Sequence, residues 1–150
     1  MKLTIIKTLI IILAVSFTVS ANAQVTCDSV STIASNFLKP SSKDKRLFIS
    51  DGQIYRAFLD EDQSAEFETT FYGGSVYRIA ASAGADDSYV IFEVYDKYRN
   101  LIFTNRDFKN AEYWDFKVNS TIDCTIEVKL DLQKKSSGCA VLLIGFEKRK

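Results

Sequence analysis

IDCTIEVKLDLQKKSSGCAVLLIGF, residues 122–146, is the stretch whose rhythm decides the fold. Ile122, Cys124, Ile126, Val128, Leu130 and Leu132 alternate without a break against Asp123, Thr125, Glu127, Lys129 and Asp131. Only extended backbone turns a period of two into one apolar and one polar face, so this is a half-buried strand. Lys134, Lys135, Ser136 and Ser137 lead to Gly138, which tolerates a positive φ, and the chain is apolar again over 139–146. The spacing predicts strand, tight turn and strand: a long C-terminal hairpin.

Upstream, short runs rich in aromatic and β-branched residues cover 53–59, 66–72, 75–82, 89–95, 101–104 and 112–118, broken by Gly, Asp and Asn. Trp114, Phe116 and Val118 should point inward against Tyr113, Asp115 and Lys117. With the hairpin this makes eight strands with no room for helical crossovers, so pairing should be mostly antiparallel, in two packed sheets. The one proline, Pro40, lies outside every strand. Val30, Ile33, Ala34, Phe37 and Leu38 recur at helical spacing, with Thr26 or Asp28 as N-cap, and predict one amphipathic helix over 26–38 whose stripe packs on the sandwich. A brief apolar run at 47–49 follows a charged loop.

Residues 1–23 read as a signal peptide: Lys2 and Lys7 precede an apolar core, and Ala21-Asn22-Ala23 has the small-x-small pattern of a cleavage site. Export leaves residues 24–150 as a single domain with no membrane span. Lys2 and Lys7 are the only charges removed, so 19 basic and 19 acidic residues become 17 and 19. Such a balance offers no basic face for nucleic acid, and Lys148-Arg149-Lys150 reads as a solvated tail.

The chain has no histidine, which removes Ser-His-Asp and Cys-His nucleophiles and imidazole-ligated zinc. No cofactor motif is present. Three cysteines, Cys27, Cys124 and Cys139, are the disulfide candidates. In the hairpin register Cys124 lies about seven residues from the partner of Cys139, roughly 24 Å, far beyond the ~7 Å a disulfide spans. What stays open is a link from Cys27 to either of the others, or three buried thiols.

Acids cluster at Asp60-Glu61-Asp62 and at Asp86-Asp87. A solvated turn accounts for both without a metal; Asp86 and Asp87 are the residues that would ligate calcium. Glu93, Asp115, Asp123 and Glu127 lie on predicted strands, where a glycoside hydrolase would carry its pair of acids. Tyr89, Glu93 and Tyr95 share one face with Ile91, while Val90, Phe92 and Val94 on the other fill the core. A strand apolar on both sides is covered twice or displays aromatics to a partner. The N-terminal helix is the candidate cover; without it, Tyr89, Glu93 and Tyr95 are the candidate ligand-binding set, stacking on sugar rings or anchoring a protein.

The order Gly74-Ser75-Val76-Tyr77-Arg78-Ile79, then Phe92-Glu93-Val94-Tyr95-Asp96, a turn, and Arg99-Asn100-Leu101-Ile102-Phe103 resembles the bacterial prepeptidase C-terminal type of jelly-roll module. The likeness spans 53–146. It implies an all-β, antiparallel two-sheet sandwich of jelly-roll type, and a mostly accessory, non-catalytic role in secreted proteins. The expectation is an exported binding or adhesion module in the periplasm or medium, contacting protein or glycan. The alternatives are a structural envelope component without a ligand and a carboxylate-dependent hydrolase. No sequence signal sets an oligomeric state.

Overall fold

The computed structural model describes residues 27–84 and 89–148. The expected signal segment, the pair Asp86 and Asp87, and Arg149 and Lys150 lie outside the described residues. In chain order the elements are helix α1 (Cys27–Asn36) and strands β1 (Phe48–Ser50), β2 (Tyr55–Asp60), β3 (Ser64–Phe71), β4 (Ser75–Ser82), β5 (Val90–Asp96), β6 (Leu101–Thr104), β7 (Tyr113–Val118), β8 (Ile122–Leu130) and β9 (Ser137–Glu147). A single 3-10 turn, Asn105–Phe108, links β6 to the segment before β7.

Two antiparallel sheets face each other. One runs β2-β9-β4-β7, with β1 also paired to β9; the other runs β3-β8-β5-β6. The chain therefore changes sheets at nearly every step, and β2 to β9 trace the two interleaved Greek keys of a jelly roll. The sandwich expectation holds, with β1 making nine strands.

The predicted C-terminal hairpin is not formed. β8 pairs with β3 and β5, whereas β9 pairs with β1, β2 and β4 in the opposite sheet. Burial gives the reason. β8 alternates as expected, with Cys124, Ile126, Val128 and Leu130 inward, but β9 is buried without alternation from Cys139 to Ile144. A hairpin places both strands in one sheet with shared inner and outer faces; β9 needs cover on both of its faces, which β8 as a hydrogen-bonded neighbour could not give. Residues 131–136 carry the chain across to the other sheet instead.

The core between the sheets holds Ile79, Phe92, Ile126, Val128, Leu142 and Ile144, with Phe103, Trp114 and Phe116 packed against it. Phe103 stacks on Trp114 at 5.1 Å and meets Phe116 edge-on at 5.0 Å, geometries that aromatic pairs favour. Trp114, Phe116 and Val118 thus point inward as expected.

α1 covers the outer face of the β9-β4 pair, not β5. Val30, Ala34 and Leu38 form a second cluster with Ala80, Cys139, Val141 and Leu143. Small residues permit this approach: a Cβ on Gly145 would sit 3.0 Å from Leu38 and 3.1 Å from Phe48. The Cys27–Cys139 disulfide fastens the first residue of α1 to β9, resolving the alternatives the cysteine spacing left open, and Cys124 is a buried free thiol. At the other end of the helix the guanidinium of Arg78 is buried between the rings of Phe48 and Tyr113, at 4.0 and 4.2 Å. It donates to both carboxylate oxygens of Asp115, to Asp44 and to the carbonyl of Phe37.

Candidate binding face

Because α1 occupies one side of the sandwich, the outer face of the β3-β8-β5-β6 sheet is left without a covering element. Register aligns a row across it: Glu66 pairs with Glu127, Glu127 with Glu93, and Glu93 with Thr104. Like charges directly opposite on neighbouring strands are destabilising, so the row requires cations. Lys129 supplies one, its Nζ 2.8 Å from Glu93 Oε2 and 3.9 Å from Glu127. Arg99 supplies the other, 2.9 Å from Glu66 and 3.9 Å from Glu127.

Arg99 reaches the face from the β5–β6 turn. Asp96 accepts from the backbone N–H groups of Tyr98 and Asn100 and from the Asn100 amide, which lets Arg99 take φ 65° and fold back over the ring of Tyr95 at 4.9 Å. Tyr95 donates its hydroxyl to Glu93 Oε2 at 2.9 Å. Burial opposes ionisation of Glu93 most strongly, but the hydrogen bonds from Lys129 and Tyr95, with the attraction of Lys129 and Arg106, outweigh it and hold the carboxyl below its ordinary range. Burial and the hydrogen bond to Glu93 push the Tyr95 phenol the other way.

Of the predicted ligand set, Glu93 and Tyr95 stand together here. Tyr89 does not join them: it precedes the first residue of β5 and packs against the core between the sheets, with Lys135 Nζ 5.7 Å from its ring. The strand alternation that grouped the three does not extend to it. Glu93 and Asp115 cannot pair as hydrolytic acids, since Asp115 is locked to Arg78 on the outer side of the opposite sheet, and Asp123 accepts from Thr70 at 2.7 Å. Sequence reasoning placed Glu127 and Lys129 on a polar face but had no register to align them with Glu93, and Arg99 is brought in only by its turn.

A cleft of about 440 Å³ adjoins this face, its lining mostly polar and including Glu61, Asp62, Arg106, Lys129, Ile91 and Leu132. Two buried asparagines fix the backbone next to it. Asn105 accepts from the N–H of Phe92 and donates to the carbonyls of Val90 and Ala111, fixing the 3-10 turn along the edge of β5. Asn110 donates to Asp131 at 2.8 Å. Among the described residues no group of His, Cys, Asp or Glu is arranged to hold a metal ion, and no helix is long and apolar enough to cross a membrane. No protein-family model matches this chain, and no curated protein is detectably similar to it.

Proposed function

We propose that this protein is an exported, non-catalytic binding module that contacts a glycan or protein at the cell envelope through the outer face of its four-stranded sheet. The observation that carries this reading is the asymmetry of the sandwich: α1, the 41–46 loop and the disulfide cover the β9-β4 part of one outer face, while the other displays a cross-strand network of Glu93, Tyr95, Glu127, Lys129 and Arg99 beside a cleft. Side chains locked by one another on rigid strands suit recognition of polar groups. The Cys27–Cys139 disulfide supports an oxidising compartment, in keeping with the signal-like segment. Likeness to the prepeptidase C-terminal type of jelly roll supports an accessory role.

A non-catalytic reading is favoured over hydrolysis by the acids themselves. A retaining or inverting glycosidase keeps one carboxyl protonated by a raised pKa. Glu93 is shifted the opposite way, and its cross-strand neighbour Glu127 shares Lys129 with it. A glycan array and saturation binding to envelope fractions, run on the wild type and on Glu93→Gln/Tyr95→Phe, test the proposal. Saturable binding that the double variant loses is expected; a wild type with no saturable ligand would leave a purely structural component.

A further inference from the structure

β3 is the outermost strand on one side of the open sheet, and its eight residues pair with β8 alone, in unbroken register from Ser64 opposite Lys129 to Phe71 opposite Ile122. Its other edge therefore presents backbone N–H and C=O groups that no strand completes, and among the described residues no loop or turn backbone bonds to 64–71. Folded proteins usually blunt such an edge by shortness, proline, lysine or a bulge. The sheet's opposite edge, β6, is four residues long and shifts register against β5, whereas β3 has no break, no proline and no lysine. Its charged side chains are Glu66 and Glu68, both exposed. Glu66 has Arg99 at 2.9 Å, but among the described residues no ion pair involves Glu68. A groove of about 680 Å³ borders this strand, its mostly polar lining including Asp51, Gln53, Tyr55, Glu68, Thr70 and Tyr72. The charges of that groove are the acids Asp51, Glu68 and Asp123 against Lys97 alone.

We infer that the open edge of β3 takes an extended segment of a partner protein by strand addition, a segment that alternates basic with β-branched or apolar residues. Backbone groups supply the ladder and alternate side chains the specificity, the usual division in this mode of recognition. Charge selects the occupant. A strand laid beside β3 with its basic residues on the outer face sets them opposite Glu66 and Glu68, next to a groove with a surplus of acids, and opposite charges across strands stabilise the pair. The intervening residues meet the other side of β3, where Ala65 and Phe67 pack against the core, and an apolar side chain there extends the cover. A second copy of β3 centred on the same residues sets glutamate against glutamate, which the same rule penalises. The acids thus guard against self-pairing while admitting a basic strand. This assignment deepens the protein side of the binding reading above and rests on it for the choice of sheet.

The test is a titration of the disulfide-bonded protein with a short end-capped peptide of alternating lysine and valine, followed by calorimetry and by amide shifts. The comparison peptides are its glutamate-valine counterpart and two forms N-methylated on one or the other alternate set of amides. Saturable binding is expected, with shifts concentrated on 64–71. The glutamate peptide should bind about tenfold or more weaker, since the cross-strand pairs with Glu66 and Glu68 change sign. One of the N-methylated forms should lose binding, because only one set of amides faces β3. Glu66→Lys/Glu68→Lys exchanges two exposed side chains and should reverse the preference, so that the glutamate peptide binds in place of the lysine one. No saturation by about 10 mM, equal affinity for both charges, or full binding by both N-methylated forms overturns strand addition. A concentration-dependent dimer whose shifts map to 64–71 overturns it in favour of a second copy. Glycan binding that Glu93→Gln/Tyr95→Phe abolishes, with no peptide bound at β3, sinks the edge assignment while keeping the open face as the binding surface.

Discussion

Replacing Arg78 by Met tests what holds α1 and the 41–46 loop on the sandwich. The guanidinium is 2% exposed, with Asp115 taking two of its N–H groups at 2.6 and 2.8 Å, Asp44 one at 2.6 Å and the Phe37 carbonyl one at 2.8 Å. Removing one partner of a buried ion pair costs roughly 3–5 kcal/mol, because the other charge stays behind unpaired. Two features place this site at the low end. Arg46 still reaches both carboxylates, at 2.9 and 2.6 Å, and the methionine side chain keeps contact with the rings of Phe48 and Tyr113. The expected loss is about 3 kcal/mol, or about 10 °C in melting temperature for a domain of this size. Urea denaturation of both proteins measures it.

The same experiment repeated down the pH scale separates charge from packing. Asp44 is held well below the usual carboxylate range, first by its hydrogen bond to Arg46 and next by that to Arg78. A depressed carboxylate contributes stability that is complete above its unfolded pKa, about 4, and is lost as pH falls through the folded value. Without Arg78 the depression is smaller and less stability is available to lose, so the gap between wild type and Arg78→Met should narrow below about pH 4. A loss under about 1 kcal/mol at neutral pH, or a gap that does not change with acidification, refutes the assignment of charge pairing as the holding force.

Three further outcomes follow from the packing. Cys27→Ser/Cys139→Ser releases a crosslink spanning 112 residues, for which loop closure predicts a loss of about 4–5 kcal/mol, measurable as a matching drop on reducing the wild type. Cys124 is buried and its thiol is pushed up to about 11 by that burial and by Asp123 and Asp96, so a disulfide-exchange reagent should label no thiol in the native protein and one after unfolding without reductant. Asn105→Ala leaves the Phe92 N–H and the Val90 and Ala111 carbonyls without their partner at a fully buried site; a loss of about 3 kcal/mol in denaturant titration is expected.

Local pattern was legible where local physics decides it. Residues 75–82 and 101–104 become β4 and β6 at the predicted bounds, and the alternation of 122–130 becomes the alternating burial of β8. Long-range pairing was not legible, because alternation says that a strand has an inner face and not which sheet it joins. The sign of it in the chain is β9: six consecutive apolar residues, Cys139 to Ile144, are what a strand covered on both faces looks like. β5 shows the same apolar density in sequence, yet its outer side carries Glu93 and Tyr95 and α1 does not touch it. The candidate site was half legible for the same reason. Spacing along one strand joins Glu93 to Tyr95, but only register across three strands adds Glu127, Lys129 and Glu66.

Arg78 shows how the hidden half of the fold determines the exposed half. A charge at the centre of β4, with Val76 and Ala80 on the same face, reads locally as a residue turned to water. It is instead the place where the carbonyl of Phe37 just past α1, the 41–46 loop and β7 converge, and the negative end of the helix dipole suits a cation there. By satisfying Phe37, Asp44 and Asp115 at once, it lets a ten-residue helix, too short to be stable alone, cover the β9-β4 part of that sheet's outer face. The covered strands β9 and β4 cannot serve as a recognition surface, whereas the opposite sheet has no such cover. There the strands carry a row of three glutamates whose mutual repulsion Lys129 and Arg99 relieve, with Arg106 adding its attraction for Glu93, and a ligand that competes for those cations would have to overcome that repulsion. A ligand bringing its own positive charge to that row would lower the repulsion instead.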